Sequence, residues 1–388
     1  MPSELTTVYQ MAYGAHVPAG VLPPRPLSRR VLRRALRVVD VAATPYGVDR
    51  YVELVRPSWS SREVRAKVVG VVRTTPRSVT LTLRPNGNWR GFTAGQYTQL
   101  SVEIDGVRQT RCYSMANCAT APDGPIELSV TAHPRGRVSQ HLRRAAAKGL
   151  TVGLTPAQGT FTLPESEPEH LLLVSGGSGI TPVMSMLRTR CALGWEKPVT
   201  FLHYALTASD MLYRDELERL VRSAPSVRVV RVYTEQPGDG DLDGFLTGEQ
   251  LDLAAPGWAD AEAFVCGPAP LMDTARALFA GRGRSGQLHT EAFTLTQVSA
   301  ETGVVDGTVR FGVSEIGVAS DGSPLLRQAE AAGLTPLSGC RMGICHTCTR
   351  RLCSGVVRDA VTGDLTHGPD VNIRICVSVP VGDVEIDL

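Results

Sequence analysis

Four cysteines near the carboxyl end have the spacing of a metal centre: Cys340, Cys345 and Cys348 run C-x4-C-x2-C, and Cys376 follows after 27 further residues. Thiolates are soft ligands, and this spacing suits a 2Fe-2S cluster, where one loop wraps two bridged irons and a distant sulfur completes the set. Gly339 and Gly343 would let that loop take backbone conformations closed to other residues and turn N–H groups toward sulfur. Four cysteines also suit structural zinc, although zinc ribbons favour two C-x2-C knuckles and only Cys345 to Cys348 has that form. Cys353, close by, reads as a buried or surface thiol and not a ligand.

A second constellation is an apolar run that empties into small residues. Leu171 to Val174 leads into Ser175-Gly176-Gly177-Ser178-Gly179, after which Thr181 is a favoured N-cap and Pro182 a favoured first helical residue. A strand, a tight turn and a helix start together collect unpaired N–H groups and the positive end of a helix dipole, which is a site for pyrophosphate. Neither G-x-G-x-x-G nor G-x-x-x-x-G-K-[ST] is present, so a tight turn with no ligand is the competing reading. Phe264-Val265-Cys266-Gly267-Pro268 ends another apolar run, ahead of a helix expected near Ala269 to Leu271. Cys266 at the carboxyl edge of such a sheet would lie near a nicotinamide ring; as a small apolar side chain it would equally fill core.

The elements that must hold these residues change character along the chain. From Ala66 to about Pro164, short alternating segments (AKVVGVV, SVTLTL, YTQLSVEI, IELSVTA) separated by turn residues predict an antiparallel sheet or small barrel. From Leu171 to about Phe293, strands alternate with helical stretches such as PVMSMLRTRCALG and PLMDTARALFAG, which predicts a parallel sheet with ligands at its carboxyl edge. After about Val304 come strands, one helix (SPLLRQAEAAG) and the cysteine loop, enough for a small domain held partly by metal. Residues 1 to 64 form a leader with a short helix expected over Leu27 to Val39.

A chain of 388 residues accommodates two to four such domains. Its nine cysteines, an odd number, fit a reducing cytoplasm, and neither an export signal nor a spanning run of about 20 apolar residues is seen. The net charge of +2 makes no case for nucleic acid. Locally, residues 25 to 37 carry six arginines and no acid.

Arg111-Cys112-Tyr113-Ser114 follows a strand of the first region, with Gly95-Gln96-Tyr97 upstream and Gly136-Arg137-Val138-Ser139 downstream. With the glycine turn and the cysteine loop in this order, the sequence resembles the ferredoxin-NADP reductase superfamily, in the branch ending in a plant-type ferredoxin domain, as oxygenase and acyl-CoA desaturase reductases do. The resemblance implies an antiparallel β-barrel flavin domain over 65–165, an α/β parallel-sheet NAD(P)H domain over 166–295 and an α+β, β-grasp 2Fe-2S domain over 304–388. Arg111 would contact flavin phosphate, Tyr113 would pack on the flavin, Ser114 would hydrogen-bond near its N5, and Gly136, Val138 and Ser139 would complete the phosphate site. Gly176, Gly177, Gly179, Thr181 and Pro182 would hold the dinucleotide, while Cys266, Gly267 and Pro268 would line the nicotinamide pocket. Glu291 and Phe293 resemble the acidic and aromatic pair beside the flavin, the phenyl ring giving way to nicotinamide.

The implied cofactors are FAD, with FMN left open, and a 2Fe-2S cluster, with NADPH or NADH as co-substrate. Many relatives carry an arginine for the 2'-phosphate where this chain reads His203-Tyr204-Ala205-Leu206-Thr207, which weakens the case for NADPH; Arg214 or Arg231 could substitute, and NADPH stays slightly ahead of NADH because the branch that the sequence resembles uses it. The implied activity is a reductase feeding an oxygenase or a membrane acyl-CoA desaturase, with a soluble ring- or steroid-hydroxylating oxygenase as alternative. A non-enzymatic, zinc-stabilised nucleotide sensor is the reading from a different class. The leader's arginines would touch the inner face of the membrane, or sit in water on a helix capping the barrel.

Overall fold

The computed structural model describes Ser60 and residues 63–134, 136–164, 166–293, 307–339, 341, 343, 346–360 and 363–388. The leader with its expected helix, Cys340 and Cys345 lie outside the described residues.

Six strands build the first module: β1 (Val64–Thr75), β2 (Ser78–Pro85), β3 (Tyr97–Ile104), β4 (Val107–Ser114), β5 (Ile126–Thr131) and β6 (Thr151–Leu154). They pair antiparallel in the order β4-β3-β6-β1-β2-β5 and curl around one core. Period-two alternation sets the inside: Val64, Ala66 and Val68 of β1 are buried while Arg65 and Lys67 point away. Leu81, Leu83, Leu100, Ile126 and Leu128 are fully enclosed, each burial stabilising by roughly 1.5–3 kcal/mol over exposure. Helix α1 (Arg137–Ala145) adds Val138 and Leu142, one helical turn apart, to that core. Arg111 to Ser114 are the last residues of β4 itself, not a segment following a strand, because the hairpin with β3 stays paired through Ser114.

The second module runs β7 (Leu171–Gly176), α2 (Ile180–Ala192), β8 (Val199–Ala205), α3 (Arg214–Ser223), β9 (Val227–Tyr233), β10 (Leu242–Asp243), α4 (Gly248–Ala254), β11 (Glu262–Cys266), α5 (Ala269–Gly281) and β12 (Leu288–Glu291). Every pairing is parallel, in the order β10-β9-β8-β7-β11-β12. All residues of β7 and β8 are buried, since apolar clusters cover both sheet faces, and their sequences read as unbroken apolar runs for that reason. After β7 the chain builds toward β10, then returns to β11 on the opposite side. The winding therefore reverses between β7 and β11, and the crevice off their carboxyl ends is where such sheets bind ligands.

One expectation fails there. Gly177 to Gly179 tighten into a 3-10 turn, α2 opens at Ile180 and Gly179 occupies the capping position, so Thr181 is not the N-cap nor Pro182 the first helical residue. The Thr181 hydroxyl instead donates to the Ser178 carbonyl at 3.2 Å. Three small residues coil without steric cost and start the helix earlier than the first hydroxyl suggests. Pro182 is tolerated because N–H groups of a first turn have no intrahelical acceptor.

The third module contains β13 (Thr308–Phe311), β14 (Ile316–Ala319), α6 (Leu325–Ala331), β15 (Thr349–Ser354), β16 (Val356–Asp359), β17 (Leu365–His367), β18 (Val371–Arg374), β19 (Ser378–Pro380) and β20 (Val384–Ile386). Its main sheet, β14-β13-β20-β15-β18, shares with α6 a core that includes Phe311, Leu325, Leu352 and Ile386. A three-stranded sheet, β17-β16-β19, stands beside it. Among the described residues no helix is long and apolar enough to cross a membrane.

Candidate active site

Strand register across the switch point sets out a row of polar side chains. Cys266 lies opposite Ser175 on one side and Glu291 on the other, and Ser175 lies opposite His203. Cys266 belongs to the core cluster that takes in Ala94 and Phe161 from the first module, so this sheet face meets the barrel. Burial, reinforced by Glu291, pushes the Cys266 thiol well up. Glu291 has a buried Oε2 with no partner among the described residues, and burial pushes its carboxyl up to about 8. His203 was not singled out in the sequence, although a histidine inside VTFLHYA was the available signal; its Nδ1 meets Ser175 Oγ at 2.8 Å and burial pushes it down to about 4.

The Glu291 environment has a thermodynamic consequence. Between the ordinary carboxyl range and about 8, the folded protein keeps a proton that the unfolded chain has released. Stability from this group is therefore full below about 4.5 and is lost as pH rises toward 8. Glu291→Gln is expected to remove that slope, so that the variant's melting temperature gains on the parent's from pH 5 to pH 8. Thermal unfolding across that range checks it; two parallel profiles would contradict the burial argument.

The turns after β7 and β11 interlock. A Cβ on Gly179 would stand 2.1 Å from the Cys266 carbonyl oxygen, and one on Gly176 2.8 Å from Pro268 Cδ. Pro268 caps α5 where the sequence reading put a helix start, and Gly267 packs against Gly176. The result is a bare backbone cradle at a helix start, which fits a pyrophosphate. Phe293, two residues beyond Glu291, packs on the same core cluster as Cys266. Arg214 and Arg231 are both engaged: Arg214 lies 3.4 Å from Glu218, and Arg231 lies 2.9 Å from Asp241.

On the barrel, Ser114 is buried and its Oγ has no partner among the described residues, an orphaned polar atom that fits an additional group bound there. Tyr113 precedes it, its phenol pushed up by burial, and Arg111 donates to the Thr110 carbonyl at 2.7 Å. At the start of α1, Ser139 Oγ donates to the Gly136 carbonyl and accepts from His133 N, both at 3.2 Å. Burial lowers the Arg111 pKa, and the nearby Arg341 guanidinium adds to the effect. Arg341, which follows Cys340 in sequence, is paired with Glu330 of α6, and both charges act on Arg111 of the barrel.

Of the four expected metal ligands, Cys348 and Cys376 are described and both are buried in the third core. Ile375 N donates to the Cys348 carbonyl at 3.4 Å, which brings the two cysteines' backbones together. Gly343 adopts φ 77°, as the loop argument requires, and Arg374 holds it by donating to its carbonyl at 2.6 Å while pairing with Asp359. Two inward thiols beside a loop tied down at Gly343 fit a cluster whose other two sulfurs come from that loop. Cys353, on β15, is half-buried.

Three protein families match in chain order: Oxidoreductase FAD-binding domain over residues 71–163, Oxidoreductase NAD-binding domain over 173–277, and 2Fe-2S iron-sulfur cluster binding domain over 312–381. The chain belongs to the ferredoxin-NADP reductase superfamily, in the branch with a carboxyl-terminal 2Fe-2S domain, and is an NAD(P)H-dependent flavoprotein oxidoreductase using FAD and that cluster. It is 37% identical over 350 residues to an NADPH oxidoreductase of Mycobacterium tuberculosis, covering 89% of this chain and 90% of the relative. A glycine betaine monooxygenase reductase subunit of Pseudomonas aeruginosa is 30% identical, covering 76% of this chain and 87% of its own length. Phthalate dioxygenase reductase shares the fold with a TM-score of 0.59 at 24% identity, covering 84% of this chain and 97% of that one. The cluster family's match displaces the zinc reading of the four cysteines.

Proposed function

We propose that this chain takes reducing equivalents from NADPH and delivers them singly to an oxygenase, through FAD held at Arg111, Tyr113, Ser114 and the Gly136–Ser139 turn, and a cluster held by Cys340, Cys345, Cys348 and Cys376. The carrying observation is the pair of orphaned polar atoms, Ser114 Oγ in the barrel module and Glu291 Oε2 in the sheet module. When bound, flavin links a two-electron hydride donor to a one-electron cluster. Ser114 offers its unused hydroxyl to the flavin, and Gly176, Gly177 and Gly179 offer backbone N–H groups to the dinucleotide. Cys266 and Glu291 stay protonated near neutrality, which keeps the nicotinamide pocket uncharged. Phe293 covers that pocket until coenzyme enters.

The name of the Pseudomonas relative favours an oxygenase over the acyl-CoA desaturase as acceptor, and the name of the Mycobacterium relative favours NADPH over NADH. To take a 2'-phosphate, Arg214 would exchange its exposed pairing with Glu218, or Arg231 its pairing with Asp241. Membrane contact by the leader rests on residues outside those described. The test is anaerobic stopped-flow mixing with each coenzyme. Flavin bleaching should precede cluster reduction, with NADPH the better donor; cluster reduction without prior flavin bleaching would overturn the electron path, and equal rates would overturn the coenzyme choice.

A further inference from the structure

The helix that begins at the glycine turn also grips the barrel. On one face of α2, at i, i+3 and i+4, Ser185, Arg188 and Thr189 all bond the backbone of the segment leaving Ser114. Ser185 Oγ donates to the Asn117 carbonyl at 2.8 Å, Arg188 Nη1 to the Ala116 carbonyl at 2.7 Å, and Thr189 Oγ1 accepts from Ala119 N at 3.1 Å. Arg188 is the centre of the junction. Its guanidinium also binds Glu127 of β5 at 2.7 Å and both carboxylate oxygens of Glu216 of α3, at 2.7 and 2.5 Å. One buried cation thus joins a barrel carboxylate to a sheet-module carboxylate, and either would be left partly buried and unpaired without it. Tyr213 closes the junction, its ring 4.7 Å below the guanidinium and its hydroxyl 2.5 Å from Ser129 Oγ of the barrel. It holds φ 59°, a conformation that costs a bulky residue energy and that these contacts offset.

We propose that Ser185, Arg188 and Thr189 are positioning residues for hydride transfer: they latch the helix that presents the dinucleotide to the loop that follows the flavin-side serine, and so set the separation of donor and acceptor. The inference rests on the assignment of Ser114 and Gly176 to Gly179 to those two ligands. Misplacement by about 1 Å is enough to slow such a reaction by roughly 100-fold, whereas each ligand would still bind its own module.

Two variants test it, the Ser185→Ala/Thr189→Val double and Arg188→Lys, which keeps the charge and loses the fork. In both, FAD content and coenzyme Kd should stay within about threefold of the parent, while the stopped-flow rate constant for flavin reduction falls about 10- to 100-fold. The long-wavelength charge-transfer absorbance of nicotinamide on flavin should weaken, and the primary deuterium isotope effect with 4-deuterated coenzyme should rise toward its full value. Flavin-to-cluster transfer after photoreduction, which does not cross this junction, should keep its parental rate. Parental flavin-reduction rates and charge-transfer bands in the variants overturn the latch; should Arg188→Lys fail to fold, the double variant decides alone. Absence of flavin reduction by either coenzyme in the parent would overturn the ligand assignment, and the latch with it.

Discussion

Replacing Cys376 by serine is expected to leave flavin reduction by NADPH at the parental rate while electron delivery to a one-electron protein acceptor falls by on the order of 100-fold or more. Loss of a partner outside the ligand set typically costs 10- to 100-fold in metal affinity, and loss of a ligand costs at least that. Cys376 is buried against Ile375, Val377 and the rest of the third core, so a vacant ligand position there also leaves polar atoms in an apolar setting. Iron analysis, the visible spectrum and stopped-flow flavin absorbance give the separate readings. A serine variant that retains full iron and full delivery to a protein acceptor would end the case for Cys376 as a ligand.

The second large effect is expected at the interlocked turns. Gly179→Ala puts a methyl group 2.1 Å from the Cys266 carbonyl oxygen and 2.8 Å from Gly267 N, both backbone atoms that cannot swing aside. Overpacking of this kind costs about 1–3 kcal/mol, and the displaced cradle should raise the coenzyme Kd by on the order of 100-fold. Gly281, the last residue of α5, is the control, because a Cβ there meets nothing within 4 Å and its backbone is not in the left-handed region. Gly281→Ala should therefore leave both stability and coenzyme binding near the parent's. Equilibrium titration and thermal melts on both variants decide it; equal behaviour of the two would show that close approach to β11 is not what Gly179 serves.

Much of the architecture was readable before any coordinates. The strands of the parallel sheet announced themselves because burial on two faces demands unbroken apolar runs, as in LLLV and VTFL. The barrel strands did so through alternation, and the cluster through spacing, since three ligands on one short loop leave a local trace. Local patterns fail where the decisive contact is distant. Arg188 was invisible as a junction because Glu127 and Ala116 are 61 and 72 residues away, and the helix α3 that carries Glu216, RDELERLVRS, has too few apolar residues to stand out. Thr181 misled because a hydroxyl ahead of proline mimics a cap, while the 3-10 coil of the preceding glycines has no residue signature beyond smallness. His203 escaped because Ser175, whose hydroxyl meets its Nδ1, lies on the neighbouring strand.

The placement of β1 and β20 bears on handling the enzyme. Each lies inside its sheet, β1 flanked by β6 and β2, β20 by β13 and β15. A tether attached at the start of β1 or the end of β20 would load two ladders at once instead of one exposed border. Anchoring beside β1 or β20, whether to a bead or to a conducting surface, should accordingly leave the electron-carrying core mechanically intact.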